Sequence, residues 1–355
     1  MTTSLTATLD VPQAPLRDVP ALLGRCRALV RPRLAAAIGG LHPWTGEMSA
    51  YALGWRDVDG TPDPDASEGK GVRQTLAVLG AEAAGADGRA AVPGAVAVEL
   101  VHAFSLLHDD IMDGDVLRRQ RETVWKAYGT GPAVLAGDAL FALAVQSLAE
   151  TPGPHTGEAV RRLCATLTEL VEGQAEDLLF ESRPWTGPDA VLPEQYRAMA
   201  ERKTGALLGC AAALGALLGG APAETVAALD LAGRHMGVAF QAVDDLLGIW
   251  GDPAVTGKPV HGDLRRRKKT YPVLAALSAE GPASRELAAL LEAADEDAAP
   301  RAAALVEEAG GRAATVAEAH HHLDAARTCL REAPLTEPAA LSIESLLDFL
   351  LHRAS

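Results

Sequence analysis

The sequence predicts an all-α fold, on three observations. Alanine and leucine are abundant while aromatic residues make up only 4% of the chain, a composition that favours helix over sheet. The Val/Ile/Thr alternation typical of strands is rare. Glycine- and proline-rich breaks separate long apolar segments, and none of these breaks is long enough for an interdomain linker. We therefore expect one helical domain at 18–355, preceded by a flexible tail at 1–17.

The breaks divide the chain into a series of predicted helices. The first is 18–38, interrupted at Pro32 and ended by Gly39-Gly40. A loop rich in Asp and Pro at 60–67 precedes a helix at 70–83. A turn region at 85–93 then leads into a long apolar helix that ends near Asp113. The later predicted helices are 134–150, 157–180, 193–218, 222–250, 271–277, 284–294, 300–308, 313–331 and 337–353.

Composition and charge argue against several classes of protein. A net charge of −15 disfavours a nucleic-acid-binding surface. No uninterrupted apolar run reaches the length of a bilayer span, and residues 1–20 lack a signal pattern, so we expect a cytoplasmic protein with no membrane span. The four cysteines are scattered without a CxxC pair, which argues against a zinc site or a disulfide framework.

Two acidic clusters, each at the end of an apolar helix-forming segment, are the most informative feature of the sequence. Carboxylates in such positions are costly unless cations compensate them. Two sets in one chain predict facing walls that share Mg²⁺ ions and a diphosphate, whereas one set alone could equally be a solvated helix end. The first cluster follows 96–107 and contains Asp109, Asp110 and Asp113; the second follows 236–243 and contains Asp244 and Asp245.

Helical geometry gives the carboxylates of the first cluster different roles. Asp109 and Asp113, at i and i+4, present oxygen ligands on one face, as Mg²⁺ prefers. Asp110 points about 100° away, and we expect it to support the site from behind the metal ligands.

Cationic side chains suited to phosphate oxygens lie near these clusters in the sequence. Lys70 and Arg73 are neighbours on one helix face, and Arg118 and Arg119 follow the first cluster directly. His102 lies two turns before Asp109 on nearly the same face. Further candidates, each of which alone would be interpreted as a surface lysine, are Lys203, Lys258 and Lys268.

The chain resembles the trans-isoprenyl diphosphate synthases (polyprenyl synthetases), and within them the geranylgeranyl diphosphate synthases. The resemblance covers about residues 69–272, and its motifs occur in the order typical of the family. They are Gly69-Lys70-x-x-Arg73, His102, the aspartates of 109–113, Arg118-Arg119 with Thr123, Gly173-Gln174-x-x-Asp177, Lys203-Thr204, Phe240-Gln241-x-x-Asp244-Asp245, Gly251-Asp252, Gly257-Lys258, Asp263-Leu264 and Lys268-x-Thr270.

The resemblance implies a homodimer of isoprenoid synthase-type helical bundles, each with a central cavity, and a Mg²⁺-dependent prenyltransferase activity. The implied substrates are isopentenyl diphosphate and an allylic diphosphate, either farnesyl diphosphate or a shorter starter. The implied product is geranylgeranyl diphosphate, released with diphosphate.

The resemblance also implies a role for each candidate residue. The metal ligands are Asp109, Asp113 and Asp244, supported by Asp110 and Asp245. The allylic diphosphate is held by Arg118, Lys203, Thr204, Gln241, Lys258 and Lys268. Isopentenyl diphosphate is held by Lys70, Arg73, His102 and Arg119. The implied catalytic residues are Asp109, Asp113, Asp244, Lys203 and Arg118.

The sequence departs from the family pattern at two places. Gly248 replaces the third aspartate of the second cluster, which removes a carboxylate that acts from the second layer or through water and leaves the metal count on that wall open. The family's Gly-Gly-Lys-Arg start is Glu68-Gly69-Lys70-Gly71, although the spacing from Lys70 to Arg73 is kept.

Product length in the family depends on the residues four and five positions before the first aspartate, here Ser105 and Phe104. Phe104 would lie about 7.5 Å from Asp109 along the helix axis. A small residue beside a single aromatic one predicts a pocket of medium depth and a geranylgeranyl product. The alternative is that Phe104 is an ordinary core residue.

Other functions fit parts of the pattern. A farnesyl or longer-chain polyprenyl diphosphate synthase would differ only in product length. A class I terpene cyclase ionises the same substrate on a similar fold but needs no isopentenyl diphosphate site. The presence of such a site argues against a cyclase; its residues are Lys70, Arg73, His102 and Arg119. A non-catalytic partner subunit is expected to lack the first acidic cluster, which this chain has.

Overall fold

The computed structural model describes residues 18–63, 68–253, 260–293 and 296–351. The predicted tail at 1–17 and the candidate Lys258 lie outside these ranges. The described residues are almost entirely helical, which confirms the predicted fold class. The helices are α1 Val19–Gly39, α2 Pro43–Ala52, α3 Val72–Ala83, α4 Val92–Met112, α5 Val124–Tyr128, α6 Thr130–Ala149, α7 Thr156–Ser182, α8 Pro193–Ala200, α9 Ala206–Leu218, α10 Ala223–Trp250, α11 Gly262–Arg265, α12 Tyr271–Ser278, α13 Pro282–Ala293, α14 Ala299–Glu308, α15 Gly311–Glu332 and α16 Glu337–Leu351.

The main core lies among long helices that contact one another in sequence-distant pairs. Helix α4 packs against α3, α6 and α9, while α9 packs against α10 and α10 against α15. Small residues allow the closest of these approaches. A Cβ atom placed on Gly215 of α9 would lie 2.8 Å from the carbonyl carbon of Ala77 in α3, so only glycine fits at this crossing.

Helix α1 is continuous through Pro32, so the predicted interruption is wrong. A proline removes one backbone hydrogen bond and crowds the preceding turn. Cys26, Val30 and Leu34 nevertheless form a buried stripe on both sides of Pro32. Burial of this stripe against the core favours an unbroken helix over a break at the proline.

Several short elements were not predicted. Helix α2 and helix α5 are too short for periodicity to reveal. A hairpin pairs β1 (Leu117–Arg118) with β2 (Arg121–Glu122). The predicted helix at 193–218 is divided into α8, a π-helical turn at Glu201–Gly205, and α9. The hairpin and the π-helical turn lie at the candidate site, as described below.

Two described helical segments are long and apolar enough to cross a membrane, by length and composition only. They are Gly88–Met112, which includes α4, and Thr130–Ala149, which is α6. The first is a core helix, because α3, α6 and α9 cover it. In α6 only 39% of the apolar window is buried, and Val134, Leu135 and Phe141 are exposed on its surface.

Candidate active site

The first acidic cluster lies at the C-terminal end of the buried helix α4. Burial raises the pKa of Asp109 to about 6, and Lys203 acts against this rise. Asp113 is the C-cap residue of α4, and its Oδ2 accepts a hydrogen bond of 2.9 Å from Lys268 Nζ. A lysine from the far side of the second cluster in sequence therefore contacts the first cluster directly.

Asp110 turns away from Asp109 and is held in the protein interior. Its side chain is buried and accepts hydrogen bonds from Arg118 Nε at 2.8 Å and Nη2 at 2.6 Å. The Arg118 side chain remains 35% exposed. Arg118 thus fixes a carboxylate behind the site while part of its side chain stays accessible.

The second acidic cluster, on α10, has the same division between its two aspartates. Asp245 is buried, and three groups donate hydrogen bonds to its carboxylate: Tyr196 Oη (2.7 Å), the Tyr271 backbone N–H (2.9 Å) and Gln241 Nε2 (3.1 Å). Burial raises the pKa of Asp245 to about 7 despite these donors. Asp244 is only partly buried and lies near Arg73.

The π-helical turn at Glu201–Gly205 brings two predicted substrate-binding residues between the two walls. Lys203 Nζ donates to Asp177 Oδ2 of α7 at 2.5 Å. Burial lowers the pKa of Lys203, but Asp177 and Asp109 outweigh it and the net pKa is raised, so the lysine is a cation at neutral pH. Thr204 Oγ1 donates to Gln241 Oε1 at 2.9 Å. Such turns occur preferentially at functional sites.

A second cationic group lies where α3 meets α4. Burial lowers the pKa of Arg73 to about 10, while Glu99 and Asp244 oppose this fall. Arg73 Nε is buried and has no hydrogen-bond partner among the described residues. Burial also lowers the pKa of His102 well below its ordinary value, with Arg73 and Arg119 adding to the effect. His102 is therefore neutral at pH 7.

The hairpin carries Arg119 into the same region in a strained backbone conformation. Arg119 and Gln120 both have positive φ, at 52° and 65°, which non-glycine residues seldom adopt. The Arg119 guanidinium lies against Gly69, where a Cβ atom would come within 2.9 Å of its Cζ. Tyr51 Oη holds the hairpin by donating to the Glu122 carbonyl at 2.7 Å.

A pocket opens between α4 and the hairpin, and residues predicted for both diphosphates contribute to its lining. Lys70 follows Gly69 at one edge of this region, and its Nζ lies 5.2 Å from the ring centroid of Phe349 in α16. The structure thus brings His102, Arg119 and Arg118 to one pocket, with Arg73 close by. The polar residues that line it include Glu68, Glu99, His102, Arg118, Arg119 and Thr123.

The two residues predicted to control product length lie on different sides of α4. Phe104 is buried and packs edge-on against Phe141 of α6 and His108, at centroid distances of 5.5 and 5.2 Å. Ser105 is partly buried, and its Oγ donates to the His102 carbonyl at 2.9 Å. Phe104 therefore lies in the layer between α4 and α6.

Sequence reasoning assigned no role to several residues that hold the site together. Asp177 was part of a recognised motif, yet its pairing with Lys203 depends on the packing of α7 against the π-helical turn. Tyr196 and Tyr271 fix Asp245 from 49 and 26 residues away in sequence. No local pattern in the sequence indicates such contacts, which depend on the tertiary fold.

The residues present fit Mg²⁺ and a diphosphate better than a metal bound by protein alone. Among the described residues, no three His, Cys, Asp or Glu side chains form a complete metal site. Mg²⁺ typically takes one or two carboxylates and completes its shell with water and substrate phosphates. The carboxylates of Asp109, Asp113 and Asp244 would supply such ligands, and Arg73 Nε, which has no hydrogen-bond partner among the described residues, would offer a donor for a phosphate oxygen.

Fold and site together define an all-α enzyme of the trans-prenyltransferase class. The sequence profile described as polyprenyl synthetase matches residues 65–308. The chain belongs to the polyprenyl synthetase family.

The relatives support this assignment over nearly the whole chain. A (2E,6E)-farnesyl diphosphate synthase of Mycobacterium tuberculosis is 44% identical over 343 residues, 95% of this chain and 94% of the relative. A geranylgeranyl diphosphate synthase of the same organism is 45% identical over 331 residues, 92% and 93% of the two chains. A crystal structure of a polyprenyl synthetase from Streptomyces coelicolor A3(2) shares 47% identity with a TM-score of 0.87, covering 94% of this chain and 100% of that one. A polyprenyl synthase from Caulobacter crescentus, crystallised with calcium and isoprenyl diphosphate, has a TM-score of 0.81 at 26% identity, covering 97% and 100%.

Proposed function

We propose that this chain is a Mg²⁺-dependent synthase that condenses isopentenyl diphosphate with an allylic diphosphate to give geranylgeranyl diphosphate. Farnesyl diphosphate is the proposed starter, and shorter allylic diphosphates are accepted as well. The observation that carries the proposal is that lysine side chains from sequence-distant segments contact the first acidic cluster. Lys268, beyond the second cluster in sequence, contacts Asp113 of the first, and Lys203 lies among Asp177, Asp109 and Asp113.

In this proposal, Asp109 and Asp113 on one wall and Asp244 on the other hold Mg²⁺ against one allylic diphosphate. The metal supplies Lewis-acid stabilisation of the charge that grows on the leaving diphosphate. Lys203 and Lys268, already ordered by their carboxylates, add positive charge at the same place. Thr204 and Gln241 orient the diphosphate through hydrogen bonds. Lys258 is a further proposed ligand outside the described residues.

The isopentenyl diphosphate is proposed to bind beside Arg73, His102, Arg119 and Lys70. A neutral His102 can donate one N–H to a phosphate oxygen without adding charge. The allylic carbon–oxygen bond breaks, the isopentenyl double bond forms the new carbon–carbon bond, and the proton lost from the adduct passes to the departing diphosphate. The apolar residues around the site exclude the water that would capture the cation.

Relatives of similar identity bear both the farnesyl and the geranylgeranyl name, so the product length is argued from the residues of α4. We propose the longer product because Ser105, on the side of Asp109, is small, and the single aromatic residue Phe104 lies in the adjacent layer. A farnesyl or longer-chain synthase is the alternative on the same site.

The test is incubation of the purified chain with radiolabelled isopentenyl diphosphate, Mg²⁺ and dimethylallyl, geranyl or farnesyl diphosphate, followed by mass spectrometry of the products. We expect label in a C20 diphosphate. A terpene cyclase would incorporate no label, and a non-catalytic subunit would be inactive by itself. Labelled product of another length would retain the prenyltransferase and reject the geranylgeranyl assignment.

We further propose a cytoplasmic homodimer in which a second copy covers the exposed face of α6. That face carries Val134, Leu135 and Phe141, whereas Asp138 and the net charge of −15 disfavour an anionic lipid surface. Leu135→Glu should give a monomer in light scattering after size-exclusion chromatography. The matched control is Leu341→Glu, at another exposed leucine on α16, which should stay dimeric. Dimers in both variants, or vesicle binding by the wild-type chain, would reject this interface.

A further inference from the structure

Lys70, one of the residues proposed for isopentenyl diphosphate, lies in a segment whose backbone has few conformational restraints of its own. Its neighbours Gly69 and Gly71 both have positive φ, at 80° and 68°. Glycine adopts such conformations readily, but it adopts many others as well and loses more conformational entropy on ordering than any other residue. The position of the Lys70 backbone therefore depends on tertiary contacts.

Two arginines of α1 hold this segment from one side. Arg27 Nη2 donates a hydrogen bond of 2.6 Å to the Gly69 carbonyl. Arg31 Nη1 pairs with Glu68 Oε1, and Arg27 Nε lies 3.9 Å from Glu68 Oε2. Arg27 and Arg31 are four residues apart and hence neighbours on one helix face. Two guanidinium groups of one helix thus share the Glu68 carboxylate.

The three side chains are only partly accessible, and an aromatic ring restrains one of them. The exposed fraction is 28% for Glu68, 35% for Arg27 and 34% for Arg31. The guanidinium carbon of Arg31 lies 4.0 Å from the ring centroid of Trp55, a cation–π contact. Partial burial and the aromatic contact distinguish this cluster from an ion pair on an open surface, which stabilises little.

The same cluster reaches the pocket between α4 and the hairpin. Glu68 is one of the residues that line this pocket, and so is Glu99. Burial raises the pKa of Glu99, and Arg27 is close enough to oppose this rise, as Arg73 and Arg119 do. Arg27 thus connects α1 to the group of residues proposed to bind isopentenyl diphosphate.

We propose that Arg27, Arg31 and Glu68 are positioning residues that order the Lys70 segment against α1 before isopentenyl diphosphate binds. This inference rests on the proposed function and specifies its isopentenyl diphosphate site. A segment that is ordered in advance removes an entropic cost from binding. Glu68, which stands where the family pattern has glycine, therefore raises the affinity for isopentenyl diphosphate although its charge has the same sign as that of the ligand.

The direction of one substitution effect separates this role from simple electrostatics. Glu68→Gln keeps the shape of the side chain and removes a negative charge from the pocket lining. If Glu68 acted only through its charge, the variant would bind a diphosphate more tightly. Loss of the ordered segment has the opposite effect and should weaken binding by about tenfold, which corresponds to the cost of ordering roughly one backbone residue.

Calorimetric titration of each substrate in the absence of the other tests the inference without condensation. Isopentenyl diphosphate is titrated into each protein, and farnesyl diphosphate is titrated separately in the presence of Mg²⁺. Glu68→Gln should bind isopentenyl diphosphate about tenfold more weakly than wild type and farnesyl diphosphate within about twofold. The unfolding temperature, measured in parallel, should stay close to that of wild type because the ion pair is partly exposed.

Arg25→Gln is the matched control. Arg25 lies on the same helix and pairs with Glu82 of α3 at 2.5 Å, so it joins α1 to the bundle without a contact to the Lys70 segment among the described interactions. This variant should leave both affinities unchanged.

A double-mutant cycle tests whether Glu68 and Arg31 act as a unit. Arg31→Gln should weaken isopentenyl diphosphate binding to a similar extent as Glu68→Gln. The variant that carries both substitutions should bind within about twofold of the weaker single variant, because the second substitution removes a partner that is already lost.

Four results would overturn the inference: an affinity of Glu68→Gln for isopentenyl diphosphate equal to or higher than that of wild type, an equal loss of affinity for both substrates, losses that multiply in the double variant, or no binding of isopentenyl diphosphate by wild type. The proposed function has a separate failure. If Glu68→Gln weakens isopentenyl diphosphate binding as expected but wild type makes no prenyl product, the positioning role stands and the synthase assignment falls.

Discussion

The two acidic walls have the same arrangement of aspartates, but different interactions stabilise the buried member of each pair. In each Asp-Asp pair the first carboxylate is presented to the site and the second is buried behind it. Asp110 is held by the charged guanidinium of Arg118. Among the described residues, the groups that donate hydrogen bonds to Asp245 are neutral and belong to Tyr196, Tyr271 and Gln241. The pairs Asp109-Asp110 and Asp244-Asp245 are therefore alike in sequence and unlike in electrostatics.

This difference explains the protonation behaviour of the buried members. An ion pair compensates a buried carboxylate with opposite charge, whereas neutral hydrogen bonds leave most of the cost of burial in place. Burial raises the pKa of both carboxyls; Arg118 opposes the rise at Asp110, and at Asp245 the pKa reaches about 7. The comparison predicts that substitutions at the carboxylates presented to the site affect turnover. Substitutions at the buried carboxylates affect stability, and the size of this effect differs in its dependence on pH between Asp110 and Asp245.

The largest expected effect is on turnover when a presented carboxylate is removed. Asp109→Ala and Asp244→Ala should each lower kcat by about 10²- to 10³-fold or more, because charge on the leaving diphosphate loses a stabilising group. The circular dichroism spectrum and unfolding temperature should stay close to wild type. Isopentenyl diphosphate incorporation measures the effect, and near-normal rates in either variant would contradict the assignment.

The next effect is a pH-dependent stability at Asp245. The pKa of this carboxyl is raised from 3.8 to about 7 in the folded protein, so the native state binds a proton more tightly than the unfolded state does. Its contribution to stability is therefore greatest near pH 4 and is lost as the pH rises toward 7. Relative to Asp245→Asn, wild type should lose on the order of 3 kcal/mol of unfolding free energy across this range.

Urea unfolding of both metal-free proteins between about pH 4.5 and 7.5 measures this difference. The comparison with Asp245→Asn removes the contributions of other titrating groups, which are common to both chains. A difference in unfolding free energy that is constant with pH would show that Asp245 is already ionised throughout.

A smaller loss of stability is expected at Asp110. Asp110→Asn leaves the Arg118 guanidinium without its carboxylate and should lower the free energy of unfolding by about 1–3 kcal/mol at neutral pH. Asp87→Asn is the control, because Asp87 pairs with Arg89 at the surface and both side chains are largely exposed. An equal effect of the two substitutions would reject a structural role for the buried pair.

The smallest expected change in turnover accompanies a change of product at Phe104, although loss of this buried ring should also lower the free energy of unfolding by about 3–5 kcal/mol. Phe104→Ala opens the layer between α4 and α6 next to Phe141, so we expect products longer than those of wild type. Mass spectrometry of dephosphorylated products gives the distribution. An unchanged chain length would assign Phe104 to the ordinary core.

The sequence predicted the parts of this molecule that depend on local pattern. The helix bounds of α4 and α10, and hence the positions of Asp109 and Asp244, follow from long apolar segments with clear ends. The hairpin turn at Arg119-Gln120 could not be predicted, because neither residue favours positive φ and tertiary contacts impose the conformation. The π-helical turn at Lys203 and the ion pair between Arg31 and Glu68 are likewise consequences of packing between segments distant in sequence.

The central claim is that both walls act on one leaving diphosphate, and a double-mutant cycle tests it most directly. We would measure kcat for Asp109→Asn, Asp244→Asn and the variant that carries both. Groups that act as a unit are strongly non-additive, so the double variant should be no more than about tenfold slower than the slower single variant. If the two fold-losses instead multiply, the walls act independently and the shared diphosphate site does not exist.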